Sequence, residues 1–398
     1  HPPLTVSVTV TAAPTPPPPP PTPLPPPPVP LPPPDPTPGV DSSVGPEDLI
    51  YEGSFAFPST ESNGSRFGYG GGPIWFNDDS KTLFAGGHNQ HQKLAEIAIP
   101  EVRDVRIVGA GGLARASYVQ GFFDATDGKY AVLGPLGGQG FKLGGVMTWA
   151  DMLIIQGYIY YDALNTQTAS AYVSSRDLSV TTDAAGPFKV GDLKVGYTSG
   201  YMAVTPEKWR AAFGGPALTG NCCLSIISRT SYGPDIFAFD PATVGKTVPA
   251  PAVPLLYYPP TNPLAAYDAS NTSLFNGTTE MGGVVFPEGT DTVLFFGRHG
   301  IGQFCYGTSC FEGAGQGTHA PPYVSQVWAY QASELAEVKA GTRQPWSLQP
   351  RIWEFQFPVN PGNVNIKGVA YDKANRRIFL TQAAGENPLV HVYRIALR

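Results

Sequence analysis

The side chains able to do chemistry are sparse in this sequence, and several fall at matching places. "GGH" ends at His88 and "GRH" ends at His299, inside two segments that otherwise share a pattern of glycine, apolar run and polar turn. A ring of Arg, His and Glu can hold an anionic or sugar ligand, and a His beside a carboxylate can move a proton. Arg66 in "SRFGYGG", Glu280 in "TTEMGG", Arg298 and Lys367 fall on the same side of their segments. The expected ligand-binding set is therefore Arg66, His88, Glu280, Arg298 and His299, with Lys367 beside them.

Other chemistries are less well supplied. His88 and His91 in "HNQH" stand three apart in a loop, a spacing that specifies no metal site without a ligand from elsewhere. Glycoside cleavage needs two or three converging carboxylates. The apolar runs "GGPIWF", "GGVMTW", "SGYMAV", "GGVVFP" and "KGVAYD" bring one, Asp372, at the far end of its run. "GAGGLA" at Gly109 and "GPLGGQG" at Gly134 lack the strand, helix and acidic partner of a nucleotide-binding loop. No catalytic residue, metal or cofactor is assigned. "GYIYYDA" and "LLYYPPTNP" can offer flat faces to sugar rings, or serve as outer-strand packing and a proline-rich loop respectively.

Cys222, Cys223, Cys305 and Cys310 form an even set that can close as disulfides in an oxidising compartment. "FCYGTSCFEG" favours a local Cys305–Cys310 bridge. "NCCL" then needs a vicinal bridge or two free thiols, and cross-pairing is the alternative.

The elements that must position these groups read as strands. A glycine-led apolar strand, an Asp/Asn/Gly turn and two further apolar strands recur from Gly71, Gly144, Ser199, Gly282 and Lys367. Short strands joined by tight turns at a long, irregular period predict an all-β fold, a β-propeller with five blades counted and five to seven possible. Glycine opens the inner strands because their backbones converge on an axis. "FNDDSK", "FPEGTD" and "YDKANRR" read as hairpin turns, with Asp78, Asp79 and Glu288 as turn formers. "RDVRIVG", "ASYVQGFFD" and "RIWEFQF" read as outer strands, and residues 49 to 57 as the outer strand of the last blade. Further blades can lie at 110 to 140 or 250 to 275. Two packed sandwiches are the other architecture, without an account of the glycine repeat. With "YDKANRRIFLTQ" and "PLVHVYRI" in place, residues 48 to 398 resemble uncharacterised secreted bacterial β-propeller proteins. The resemblance implies a fold and no activity.

The 398 residues include 46 Gly and 44 Pro, are 14% charged and 12% aromatic, and carry a formal net charge of −6. Low charge with many turn residues suits an all-β chain. An acidic balance without a basic stretch argues against nucleic acid as a partner. No apolar run reaches the roughly 18 residues of a membrane-spanning helix, so no membrane span is expected.

Ahead of the propeller, residues 1–13 read as an extended strand and 14–47 as a proline-rich linker. Leu4, Val6, Val8 and Val10 alternate with Thr5, Ser7, Thr9 and Thr11 in the period of a half-buried strand. The tract from Pro14 to Pro38 suits a polyproline II rod of about 75 to 80 Å, at ~3.1 Å per residue. A strand on a rod can add to the sheet edge of another copy, with Leu4, Val6, Val8 and Val10 as the assembly residues. Such head-to-tail donation propagates as a filament or surface layer.

The sequence thus predicts an extracellular or cell-surface structural subunit whose partners are copies of itself. The alternatives are a secreted glycan-binding adhesin, or an enzyme acting on polysaccharide through His88, Glu280, Arg298 and His299. A chain numbered from His1 fits a mature exported protein. Thr5, Thr9, Thr11, Thr15, Thr22 and Thr37 suit O-glycosylation, and Asn63, Asn271 and Asn276 stand in N-x-S/T sequons.

Overall fold

In a computed structural model, residues 43–133, 140–223, 230–359, 364–383 and 385–396 are described. The alternation of apolar residues within each run decides what each strand can bury. In "TVLFFGRHG", Val293 and Phe295 pack toward one neighbouring sheet while Leu294 and Phe296 pack toward the other. A strand apolar on both faces must lie between two sheets, so the sheets stack face to face around a ring.

The result is a five-bladed β-propeller of four-stranded antiparallel sheets. Blade 1 runs Ile74–Asn77, Thr82–Gly86, Leu94–Ala98 and Ser117–Phe123 from axis to rim. Blade 2 comprises Phe141–Trp149, Met152–Ile159, Ala171–Ser175 and Ala185–Phe188, and blade 3 Met202–Val204, Ala217–Thr219, Ile236–Phe239 and Ala252–Leu256. Blade 4 comprises Glu280–Val285, Thr292–Gly300, Tyr323–Gln331 and Arg351–Phe355. Blade 5 takes Ile366–Asp372, Arg377–Gln382 and Leu389–Ile395 from the end of the chain and its outer strand, Leu49–Ala56, from the beginning. The register runs from Leu49 opposite Ile395 to Ala56 opposite Leu389. The ring is closed by hydrogen bonds between the two ends of the propeller, as expected from residues 49 to 57.

Each interface between blades is an apolar core. Phe55, Phe76 and Phe379 fill the one between blades 5 and 1, and Trp328, Tyr258 and Phe213 stand in the one between blades 3 and 4. A fully buried side chain of this size contributes roughly 1.5 to 3 kcal/mol. The hairpin turns at the far end of the axis link neighbours by exposed ion pairs. Asp79 meets Arg176 of blade 2, and Asp78 meets Lys373 of blade 5.

Two expectations need correction. "RDVRIVG" is no strand: Val105–Val108 is a helical turn capped by Asp104, with Val105 buried and Ile107 81% exposed. Its flanks cover the rim of blade 5 through Ser54 opposite Arg103 and Ala56 opposite Arg115. No sixth or seventh blade is present among the described residues, because Ser117–Phe123 and Ala252–Leu256 are the rim strands of blades 1 and 3. The second strand of blade 3 is Ala217–Thr219, which precedes the Cys222–Cys223 pair in the chain. Leu4, Val6, Val8, Val10, the proline tract and Thr5, Thr9, Thr11, Thr15, Thr22 and Thr37 lie outside the described residues, as does the loop at Gly134. Among the described residues, no helix is long and apolar enough to cross a membrane.

Candidate functional site

The five inner strands touch one another in turn around the axis. At their starting ends the backbones come so close that side chains are almost excluded. Two residues ahead of Ile74, Val146, Met202, Val284 and Val369 stand Gly72, Gly144, Gly200, Gly282 and Lys367. In blades 2, 4 and 5 this place is a bulge, between Leu143 and Gly145, Met281 and Gly283, and Ile366 and Gly368. A Cβ on Gly72 would lie 1.8 Å from the Lys367 carbonyl oxygen, and one on Gly144 2.0 Å from that of Ser199. Four blades must therefore carry glycine here, and the fifth carries an exposed lysine.

Around this lip lies a cavity of about 200 Å³ at the mouth of the channel. Its charged lining is Lys142 from blade 2, Glu280 from blade 4 and Lys367 from blade 5. Arg298, directly across the ladder from Glu280, donates from Nη2 to Glu280 Oε1 at 2.8 Å and lies over the Tyr323 ring. Burial works to raise the Glu280 carboxyl, but Arg298 and Lys367 outweigh it and hold the group ionised below its ordinary value. Burial, with Lys367 second, lowers the Lys142 ammonium. Lys142 Nζ donates to the Asn89 carbonyl at 2.8 Å, and Gln92 Oε1 accepts from the Leu143 amide, so the "HNQH" loop is stitched to blade 2 beside the mouth.

The remaining wall is flat and partly apolar. Tyr158 and Tyr160 stand at the end of the second strand of blade 2, Tyr160 being 51% exposed. Cys222 and Cys223 form a vicinal disulfide that lines the cavity next to Asn221. This loop is pinned from below. The Asn221 amide donates to Asp235 Oδ1, Asn221 Nδ2 donates to Ser199 Oγ, and the Cys222 carbonyl accepts from the Met281 amide at 2.9 Å. Burial raises the Asp235 carboxyl well above its ordinary value. The second bridge, Cys305–Cys310, closes a hairpin loop on blade 4.

The structure separates the residues that the sequence grouped. Glu280, Arg298 and Lys367 meet at the mouth. Arg66 instead pairs with Glu61 and Glu386 beside a separate cavity of about 130 Å³. His88 stacks on His91 with centroids 4.5 Å apart; burial, then His91 and Arg66, lower it. His299 stands one residue beyond the place that matches His88, which the ladders give to Arg298, and turns away from the opening. Its Nε2 donates to the Thr272 carbonyl at 2.8 Å, its Nδ1 accepts from the Thr279 hydroxyl at 2.9 Å, and it is fully buried. Neighbours on a strand face opposite sides, so an Arg298 at the mouth puts His299 in the blade. Burial lowers its imidazole. Asp372, at the other end of the axis, caps a turn by accepting from the Ala374 and Asn375 amides. Of the sequons, Asn63 and Asn271 are exposed, whereas Asn276 is buried with its amide on the Ala269 and Gly300 carbonyls.

Sequence reasoning passed over Lys142 and undervalued Tyr158. The signal was present: "KLGG" and "EMGG" align Lys142 with Glu280, and the ladders then align Tyr158 with Arg298. At the other end of the axis a cavity of about 50 Å³ is lined by Phe76, Met202, Phe286 and Tyr371.

No protein-family model matches the chain, and no curated protein matches it. Among solved structures it is similar to a luciferin-regenerating enzyme, at 9% identity and TM-score 0.34 over 86% of this chain and 95% of that one. It is similar to a GH43 endo-arabinanase from Bacillus licheniformis, at 11% identity and TM-score 0.40 over 82% and 94%. The Dos1 propeller is similar at 9% identity and TM-score 0.30 over 81% and 66%.

Proposed function

We propose that this propeller is an exported glycan-binding protein that holds a sugar at the mouth of its central channel. The observation that carries the reading is the lining itself. Tyr158, Tyr160 and the Cys222–Cys223 bridge offer flat apolar faces, while Glu280, held ionised, accepts from hydroxyl groups and Lys142 and Lys367 donate to them. Sugar sites combine these two kinds of surface because a pyranose has an apolar face and a polar rim. The paired cysteines fit an oxidising compartment. Calorimetric titration of the full chain against an oligosaccharide panel tests the reading. Tyr160→Ala is expected to weaken binding about five- to tenfold, the equivalent of roughly 1 to 1.5 kcal/mol of lost apolar contact. Undiminished affinity in that variant contradicts it.

A second reading concerns the N-terminal arm and assembly. The alternating Leu4, Val6, Val8 and Val10 suit strand addition, and Arg351–Phe355 of blade 4 has no strand beyond it among the described residues. The propeller begins near that strand: Arg351 donates to the Val44 carbonyl, and the Val44 amide donates to Thr292 Oγ1 at 3.0 Å. These contacts lie at the end of the ring opposite the mouth. A chain beginning at Ser43 is expected to stay folded and lose any filaments seen by electron microscopy; unchanged filaments contradict strand donation.

A further inference from the structure

We infer that the sugar taken at the mouth is a carboxylated one, a uronic acid or a chain of them, with Lys367 and Lys142 receiving the carboxylate; this rests on the glycan reading above. Position argues first. The inner lip holds glycine in four blades, where a Cβ would strike the neighbouring backbone, and a side chain at only one, Lys367. That side chain is exposed and has no hydrogen bond or ion pair among the described residues. It is a cation set at the inner lip whose field reaches Glu280 but which no carboxylate pairs directly among the described residues.

Charge argues second. Lys142 and Lys367 bring two positive charges to the lining of the cavity against the one carboxylate of Glu280, which Arg298 already pairs. The chain as a whole carries a formal net charge of −6, so the excess is local. Lys367 disfavours the charge on Lys142 after burial has done so, and an anion between the two ammonium groups relieves it. The geometry selects the kind of anion. The lysines share their cavity with Tyr158, Tyr160 and the vicinal disulfide, so the anionic group must belong to a ring that can lie on flat surfaces. Glu280 and Asn221 are left to meet the ring hydroxyls.

The test uses the full chain and matched ligands: oligogalacturonate, oligoglucuronate and alginate oligosaccharides, each beside its methyl-esterified form, with neutral and sulfated oligosaccharides. At least one uronate is expected to bind, and both esterification and Lys367→Gln to cost about tenfold or more. The loss in Lys367→Gln should be several-fold smaller for the ester than for the acid, and Lys142→Gln should repeat the pattern. Should esters or neutral sugars bind as tightly as the acids, or sulfated sugars bind where uronates do not, the inference falls while glycan binding stands. Should none of the sugars bind, both fall.

Discussion

His391 shows how a residue with catalytic chemistry is committed to structure in this fold. Its Nε2 donates to Gln382 Oε1 at 2.8 Å and its Nδ1 accepts from the Ser54 hydroxyl at 2.6 Å, tying the rim strand Leu49–Ala56 to blade 5. Burial lowers its pKa to about 3. Unfolded, the imidazole takes a proton near pH 6.5, at roughly its model value. Between those values the unfolded chain binds a proton that the folded chain refuses. This contribution to stability is therefore complete above pH 6.5 and falls as the pH drops toward 3, by at most about 1.4 kcal/mol per pH unit. Asp235, raised by burial, contributes with the opposite sign above about pH 3.9, the unfolded value. The His391 share is isolated by comparison with His391→Gln in denaturant titrations. The stability advantage of the wild type should narrow as the pH falls below 6.5; a constant difference contradicts the account. At the mouth the same scale of reasoning separates Glu280, kept ionised by Arg298, from His299, whose two nitrogens are both spent inside the blade.

Among the elements, the inner and rim strands were read with different success for a physical reason. "GGVMTW", "GGVVFP" and "KGVAYD" are bounded by a glycine lip and a polar hairpin turn, so their limits are written in residue types. Rim strands are half exposed and carry no such marks. "RDVRIVG" reads as an outer strand, yet its Val105 and Val108 lie one helical turn apart and Asp104 caps them. Register is finer than residue type. "GGH" and "GRH" match His88 with His299 by type, whereas the ladders pair Ile74 with Ala85 and Val284 with Phe295 and so match His88 with Arg298, and the strand's pleat turns His299 into the blade. A chain beginning at Ser43 retains Leu49–Ala56, and with it the hydrogen-bonded closure of blade 5. That is why removal of the arm is expected to leave the ring intact.

On the scale of the whole molecule, the two ends of the axis differ. One presents a polar mouth with lysines, tyrosines and the vicinal disulfide; the other presents a smaller apolar recess rimmed by Asp78, Glu288 and Lys373, with Val44 entering the ring on that side. The propeller architecture was legible because the repeat recurs five times. The mouth was legible only in part, for its lining draws on loops and strand ends from all five blades. Its aromatic and disulfide face comes together only when blades 2 and 3 stand side by side. Amide hydrogen exchange of the full chain, with and without a saturating oligosaccharide found in the panel, tests the central claim most directly. The account predicts slowed exchange at residues 142–144, 158–160, 221–223, 280–282 and 366–368 together. Protection confined to the rim strands, or to the recess at the opposite end, would contradict it.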